Sequence, residues 1–176
     1  LYIAPTSDIV TNKYIDVENG TNHYGAVDDG DSNDDTNSIY TLNISNLEYD
    51  LYGHSYSSNP DGRITNVSIV LRARWFSDTA YTDHIGVAWR ITGSGTVRTY
   101  VPSIDISASY TDYTLSITDQ TGAPTTWSDI HDLQFGPYFM ANLLNAVGIS
   151  KVRLKVTWED YSSSPSTSLS HSPSTS

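Results

Sequence analysis

Five carboxylates fall within eight residues at Asp28-Asp29-Gly30-Asp31-Ser32-Asn33-Asp34-Asp35. Carboxylates that close repel one another, and a hard divalent cation, which gathers about six to eight oxygen ligands, relieves them. Asp29, Asp31, Asn33 and Asp35 have the alternate spacing of calcium-loop ligands, so Ca2+ is the one cofactor the sequence points to. The match to a helix-loop-helix calcium site fails twice: its sixth-position glycine would be Asp34, and its closing glutamate would be Tyr40. A solvated surface loop is the competing reading. Three N-glycosylation sequons follow the same logic of reactive types at fixed spacing: Asn19-Gly20-Thr21, Asn43-Ile44-Ser45 and Asn66-Val67-Ser68. Asn43 and Asn66 sit on expected strands, opposite in parity to Leu42, Ile44 and Val67, so a glycan on either would point to solvent.

Catalytic chemistry finds little to work with. His23, His54, His84, His131 and His171 are scattered, and only Asp129, His131 and Asp132 crowd together, where a helix cap explains them equally well. No G-x-S-x-G elbow and no glycine-rich loop leading into a helix is present. Glu18, Glu48, Glu159 and Asp160 are carboxylates of the type a glycosidase pairs across a cleft, yet nothing in the sequence brings two together. The expectation is a protein that is not an enzyme. With 9 Lys+Arg against 20 Asp+Glu, a net charge of -11 would repel phosphate backbones and anionic lipid, which argues against nucleic-acid partners. No apolar run reaches the roughly 20 residues of a membrane span. The absence of cysteine removes disulfides, thiol catalysis and cysteine-ligated metals together.

These residues must be carried by strands. Three Glu, three Lys and one Met against 13 Tyr and 45 Ser plus Thr starve helices and favour β-structure. Apolar and polar residues alternate over 64–75, where Val67, Ile69, Leu71, Ala73 and Trp75 share one parity and only Val70 breaks the pattern. They alternate again over 151–159, with Val152, Leu154, Val156 and Trp158 set against Lys151, Arg153, Lys155 and Thr157. Shorter strands are expected over 14–17, 40–44, 47–52, 85–91, 97–101, 113–117 and 134–139, with turn residues every ten or so positions. Trp75, Trp89 and Trp158 fall on inward parity and read as core. One short helical turn is expected over 126–133, with Thr126 as its cap. The fold class is therefore all-β, an antiparallel jelly-roll-like β-sandwich with one short helical turn.

Residues 1–21 read as an N-terminal extension with a first strand, 22–161 as the sandwich, and 162–176 as a Ser/Thr/Pro-rich linker or stalk. The pentad Ser-Pro-Ser-Thr-Ser occurs there twice, and the segment has too little apolar area to fold alone.

Tyr110-Thr-Asp-Tyr-Thr-Leu, then Trp127-Ser-Asp-Ile-His-Asp-Leu-Gln-Phe-Gly, then Val152-Arg-Leu-Lys-Val-Thr-Trp, after the acidic entry into Thr36 to Tyr40, together resemble a known class of domain. These are the jelly-roll sandwich domains of phage structural and tail-associated proteins and of prokaryotic surface or appendage proteins. That resemblance implies a non-enzymatic structural subunit of an extracellular filament or virion appendage, with copies of itself as partners. Assembly would run through the sheet-edge segments Leu1, Tyr2 and Ile3 and the tail residues Ser164, Pro165 and Pro173. The alternative is a carbohydrate-binding or adhesin module that meets surface glycans through rings such as Tyr52, Tyr56 or Tyr81. Either reading places the protein outside the cell or on a virion surface.

Overall fold

The computed structural model describes residues 1–11, 15–18, 22–28, 35–41, 48–75, 85–91, 95–139 and 147–161. Its strands in chain order are β1 (Tyr2–Ile3), β2 (Ser7–Val10), β3 (Ile15–Glu18), β4 (Ser38–Thr41), β5 (Glu48–Tyr49), β6 (Leu51–Gly53), β7 (Arg63–Trp75), β8 (Ile85–Ile91), β9 (Arg98–Tyr100), β10 (Thr111–Ser116), β11 (Leu133–Phe139) and β12 (Val147–Glu159). A 3-10 turn covers Tyr24–Ala26, and a short helix, α1 (Trp127–His131), precedes β11. The strands form two six-stranded sheets. The first runs β10-β7-β12-β4-β3 with β1 added to β12, and the second runs β2-β6-β11-β8-β9 with β5 added to β11. Every strand pairing among the described residues is antiparallel. The expected all-β, antiparallel sandwich with one short helical turn is the architecture observed.

The two longest alternating runs become the longest strands, β7 and β12, paired along nearly their whole length. Their inward residues Val67, Ile69, Leu71, Ala73, Trp75, Val152, Leu154 and Val156 meet Ile85, Val87, Trp89, Leu133, Phe135 and Phe139 from the second sheet in one buried core. Each aliphatic side chain so buried contributes on the order of 1.5–3 kcal/mol. Val70, the residue that broke the alternation, does lie on the outer face. It is nevertheless buried, flanked in register by Arg153 of β12 and Thr114 of β10.

The alternation of β12 also fails at one point. Ile149 pairs with Ala73 and Lys151 with Arg72, so Ser150 is an extra residue, a bulge after which the register resumes at Lys151. Lys151, expected on the solvent side, is only 3% exposed.

Along its other edge β12 is shared by three segments. β4 pairs with Val147 to Ile149, the Val27 carbonyl accepts from the Val152 amide at 3.0 Å, and β1 pairs at Leu154 and Lys155. The amino group of Leu1 donates to the Val156 carbonyl at 3.1 Å, the Val156 amide returns a bond to the Leu1 carbonyl at 3.0 Å, and Ile3 is buried in the core. The N-terminal lead, expected on the sheet edge of a neighbouring copy, therefore sits within its own sheet. The physical reason is length: β4 covers only the first part of a 13-residue strand, and the vacant backbone groups of the remainder are met by the nearest extended segment.

Candidate functional site

α1 is short but firmly capped. The Thr126 hydroxyl accepts from the Asp129 amide at 3.1 Å, and the Asp129 carboxylate accepts from the amides of Thr125 and Thr126, each at 2.9 Å. Burial works against this carboxylate, yet the bonds from Thr125 and Thr126 outweigh it and hold its pKa below the ordinary value. Asp129 is thus a cap, as its position in the sequence allowed.

Two histidines pin the segment after β6 to this helix. His54 Nε2 donates to the Ile130 carbonyl at 2.8 Å, and His131 Nε2 donates to the Ser58 carbonyl at 3.0 Å. The Tyr56 amide donates to His54 Nδ1 at 3.2 Å, which fixes the neutral tautomer with hydrogen on Nε2. Burial lowers the His54 pKa against the raising effect of the Ile130 carbonyl, and His131 lowers it further.

The purpose of this pinning is visible in the rings it aligns. Tyr56 lies 6.1 Å from His131 and 6.3 Å from Trp127, and Trp127 meets Trp158 edge-on at 5.6 Å. All four rings are half-buried, so each leaves part of itself at the surface. They form a continuous aromatic belt across one end of the sandwich. Trp127 Nε1 donates to the Gly62 carbonyl at 3.3 Å, and Trp158 Nε1 donates to Asp160 at 3.2 Å, which fixes both indole planes. Gly62 is required here because a Cβ at that position would sit 2.8 Å from the Trp158 ring and 2.5 Å from the Glu159 carbonyl oxygen.

A groove opens at each end of the belt. One, of about 320 Å³, is lined by Ser7, Ile9, Gly53, His54, His131, Asp132 and Gln134 among others. The other, of about 270 Å³, is lined by Leu1, Lys155, Val156, Thr157, Trp158 and Asp160. Rings along the middle, with carboxylate, amide, hydroxyl and imidazole groups at one end and carboxylate, hydroxyl and ammonium groups at the other, form a surface able to hold a ligand that is apolar on its faces and polar at its rim.

The rings singled out from the sequence divide three ways. Tyr56 belongs to the belt. Tyr52 does not: it is fully buried and donates to the Asp50 carboxylate at 3.1 Å, which also receives His23 Nδ1 at 2.5 Å. Burial, with Asp50 adding to it, pushes the Tyr52 pKa well up. Tyr81 lies outside the described residues. Trp75 and Trp89 are core as expected, whereas Trp158, read as core, is half-buried beside a register shift between Thr157 and Trp158 in the pairing with β7.

Of the calcium-spaced residues, Asp29, Asp31 and Asn33 lie outside the described residues. Asp35 is described, and both of its oxygens are engaged: Arg72 Nε and Nη2 each donate at 2.7 Å, and the Ser150 hydroxyl donates at 2.7 Å. Arg72 is the main cause that lowers the Asp35 pKa, against burial. Among the described residues no group of three or more His, Asp or Glu is placed to hold a metal ion.

Asn19 and Asn43 lie outside the described residues. Asn66 is on the outer face of β7, where its amide nitrogen donates to the Ser116 hydroxyl at 3.1 Å and its oxygen accepts from the sequon hydroxyl of Ser68 at 2.7 Å. Ser164, Pro165 and Pro173 are likewise outside the described residues. No described helix is long and apolar enough to cross a membrane.

No protein-family model matches the chain, and no curated protein matches it. Among solved structures it is similar to the family 11 carbohydrate-binding module from Clostridium thermocellum in complex with a β-1,3-1,4-mixed-linked tetrasaccharide (12% identity over 88% of this chain and 95% of that chain, TM-score 0.47). It is also similar to the enzymatically active domain of bacteriophage CBA120 tailspike protein 4 (12% identity, 89% of this chain, 19% of that chain, TM-score 0.47). A third likeness is to the arabinose-bound α-L-arabinofuranosidase MgGH51 (14% identity, 74% of this chain, TM-score 0.46), of which this chain spans 21%. The likeness is one of architecture, so function is read from this chain's own residues.

Proposed function

We propose that this chain is a non-catalytic carbohydrate-binding module, displayed on an extracellular or virion surface, that holds a polysaccharide along the His131–Tyr56–Trp127–Trp158 belt. A pyranose ring has a C–H face and a rim of hydroxyls. It matches an aromatic plane bordered by side chains such as Asp132, Gln134, Thr157 and Asp160. The observation that carries the reading is the belt itself: neighbouring centroids 5.6 to 6.3 Å apart, rings part-exposed, and a polar groove at either end. A filament subunit built through Leu1, Tyr2 and Ile3 loses support, because that segment is already paired in its own sheet.

Affinity electrophoresis through gels loaded with soluble glucans, xylans and uronans tests the proposal. At least one polymer retards the chain. Trp127→Ala and Trp158→Ala each weaken that retardation tenfold or more, the scale of a ring that anchors an interface. Unretarded migration in every gel, or retardation indifferent to both substitutions, would sink the reading.

A further inference from the structure

The outer face of the first sheet gathers Arg72 and Arg74 from β7 with Lys151, Arg153 and Lys155 from β12, five of the nine cations in a chain of net charge -11. Three of them follow from the alternation of Lys-Val-Arg-Leu-Lys along one strand. Arg72 is held by Asp35 and, at 3.1 Å, by Asp112, and Lys151 is buried.

Lys155, at the end of this ladder, is placed differently. It is half-exposed, and no ion pair to it is formed among the described residues. Its ammonium lies 5.8 Å from the centroid of the Tyr2 ring, and the Arg153 guanidinium lies 5.9 Å from the same ring. Tyr2 is 54% exposed. An open ring bordered by two cations is thus set beside the belt. Lys155 and Trp158 line the same groove, so the last cation of the ladder and the last ring of the belt face one space.

We infer that the glycan taken by this site is acidic, with a carboxylate or sulfate group received by Lys155 while the adjoining sugar lies against Trp158. The inference rests on the belt being a glycan site and names the class of glycan. The acidity of the rest of the molecule does not forbid it: at physiological salt, fields are screened beyond about 8 Å, so the charges nearest the groove decide. Asp160, the one carboxylate among the described residues lining that groove, accepts from Trp158 Nε1 and keeps its charge, so the acidic group is received at the Lys155 ammonium and the neutral hydroxyls of the sugar at Asp160.

The test compares polygalacturonate with its fully methyl-esterified form, and dextran sulfate with dextran, by affinity electrophoresis at low and moderate salt. The carboxylate and sulfate arms separate the two sources of charge. Retardation is expected to be stronger on at least one anionic polymer than on its neutral counterpart and to weaken as salt rises. Lys155→Gln is expected to weaken that binding about fivefold, the equivalent of one exposed charge pair at about 4 Å, and Lys155→Arg to restore it. Circular dichroism verifies that both variants are folded. Neutral polymers bound as tightly as charged ones, or Lys155→Gln binding as the parent does, would overturn the inference and leave the belt reading standing. Indifference to all four polymers and to the wider glucan and xylan panel would remove both.

Discussion

Replacing Asp35 with Asn isolates the charge of one residue from its shape. Asp35 has φ of 53°, the left-handed region that Asn tolerates nearly as well, so the substitution leaves the backbone unstrained where Ala would add strain. Asn keeps one acceptor oxygen and sets an NH2 group where Asp35 has its second, so one of the two 2.7 Å bonds from Arg72 is lost and the other becomes a bond to a neutral acceptor. A hydrogen bond to a charged group is worth roughly 1.5–3 kcal/mol, so the expected cost is about 2 kcal/mol. The side chains are 17% and 25% exposed, so solvent screening is modest. Arg72 and Lys151 also face each other in register, a like-charge pair that Asp35 offsets. For a chain of this size the loss corresponds to a fall in Tm of about 4–8 °C.

The pH dependence fixes the cause. Because the folded-state pKa of Asp35 is lowered, its contribution is complete above the ordinary carboxylate value of 3.8 and is lost as pH falls through the lowered value. Calorimetry of parent and variant is therefore expected to give a constant gap between pH 5 and 7 that closes in strong acid. Equal Tm values at pH 7, or an undiminished gap at the acid end, would refute the assignment.

Thr126→Ala removes one half of the α1 capping box and is expected to cost about 1 kcal/mol, read as a small shift in the urea midpoint with unchanged m-value. Tyr52→Phe leaves the buried Asp50 carboxylate short of a donor, and a loss of about 1–3 kcal/mol is expected by chemical denaturation. Deleting residues 1–3 uncovers part of the β12 edge and removes the buried Ile3. A loss of about 2–4 kcal/mol is expected with no change in sedimentation coefficient, whereas an assembly that depended on this segment would lose mass instead.

Much of this architecture can be read directly from the chain. β7, β8 and β12 announce themselves by alternation along most of their length, and Thr126 followed three residues later by Asp129 marks the start of α1. The Ser150 bulge leaves no such mark, since one extra residue in a run of alternating types shifts the period without changing the composition. β1 is too short for any periodic signal, and its place depends on where β4 stops. The belt is harder still. Trp158 has inward parity, and the register shift beside it, like the Ser150 bulge, leaves no mark in the alternation. Tyr56 and Trp127 are separated by 71 positions and meet because His54 and His131 tie their segments together, a tertiary event with no local signature.

The pairing of β1 with β12 brings the two ends of the sandwich to one place. Leu1 lies beside Val156, and β12 runs to Glu159, roughly 10 Å further along the same ribbon at strand spacing. A unit with adjacent entry and exit points can be spliced into an exposed turn of a larger host without prying that turn apart. A tug applied through both ends would peel β1 away rung by rung rather than shear it as a block, leaving the twelfth strand and its long partner intact.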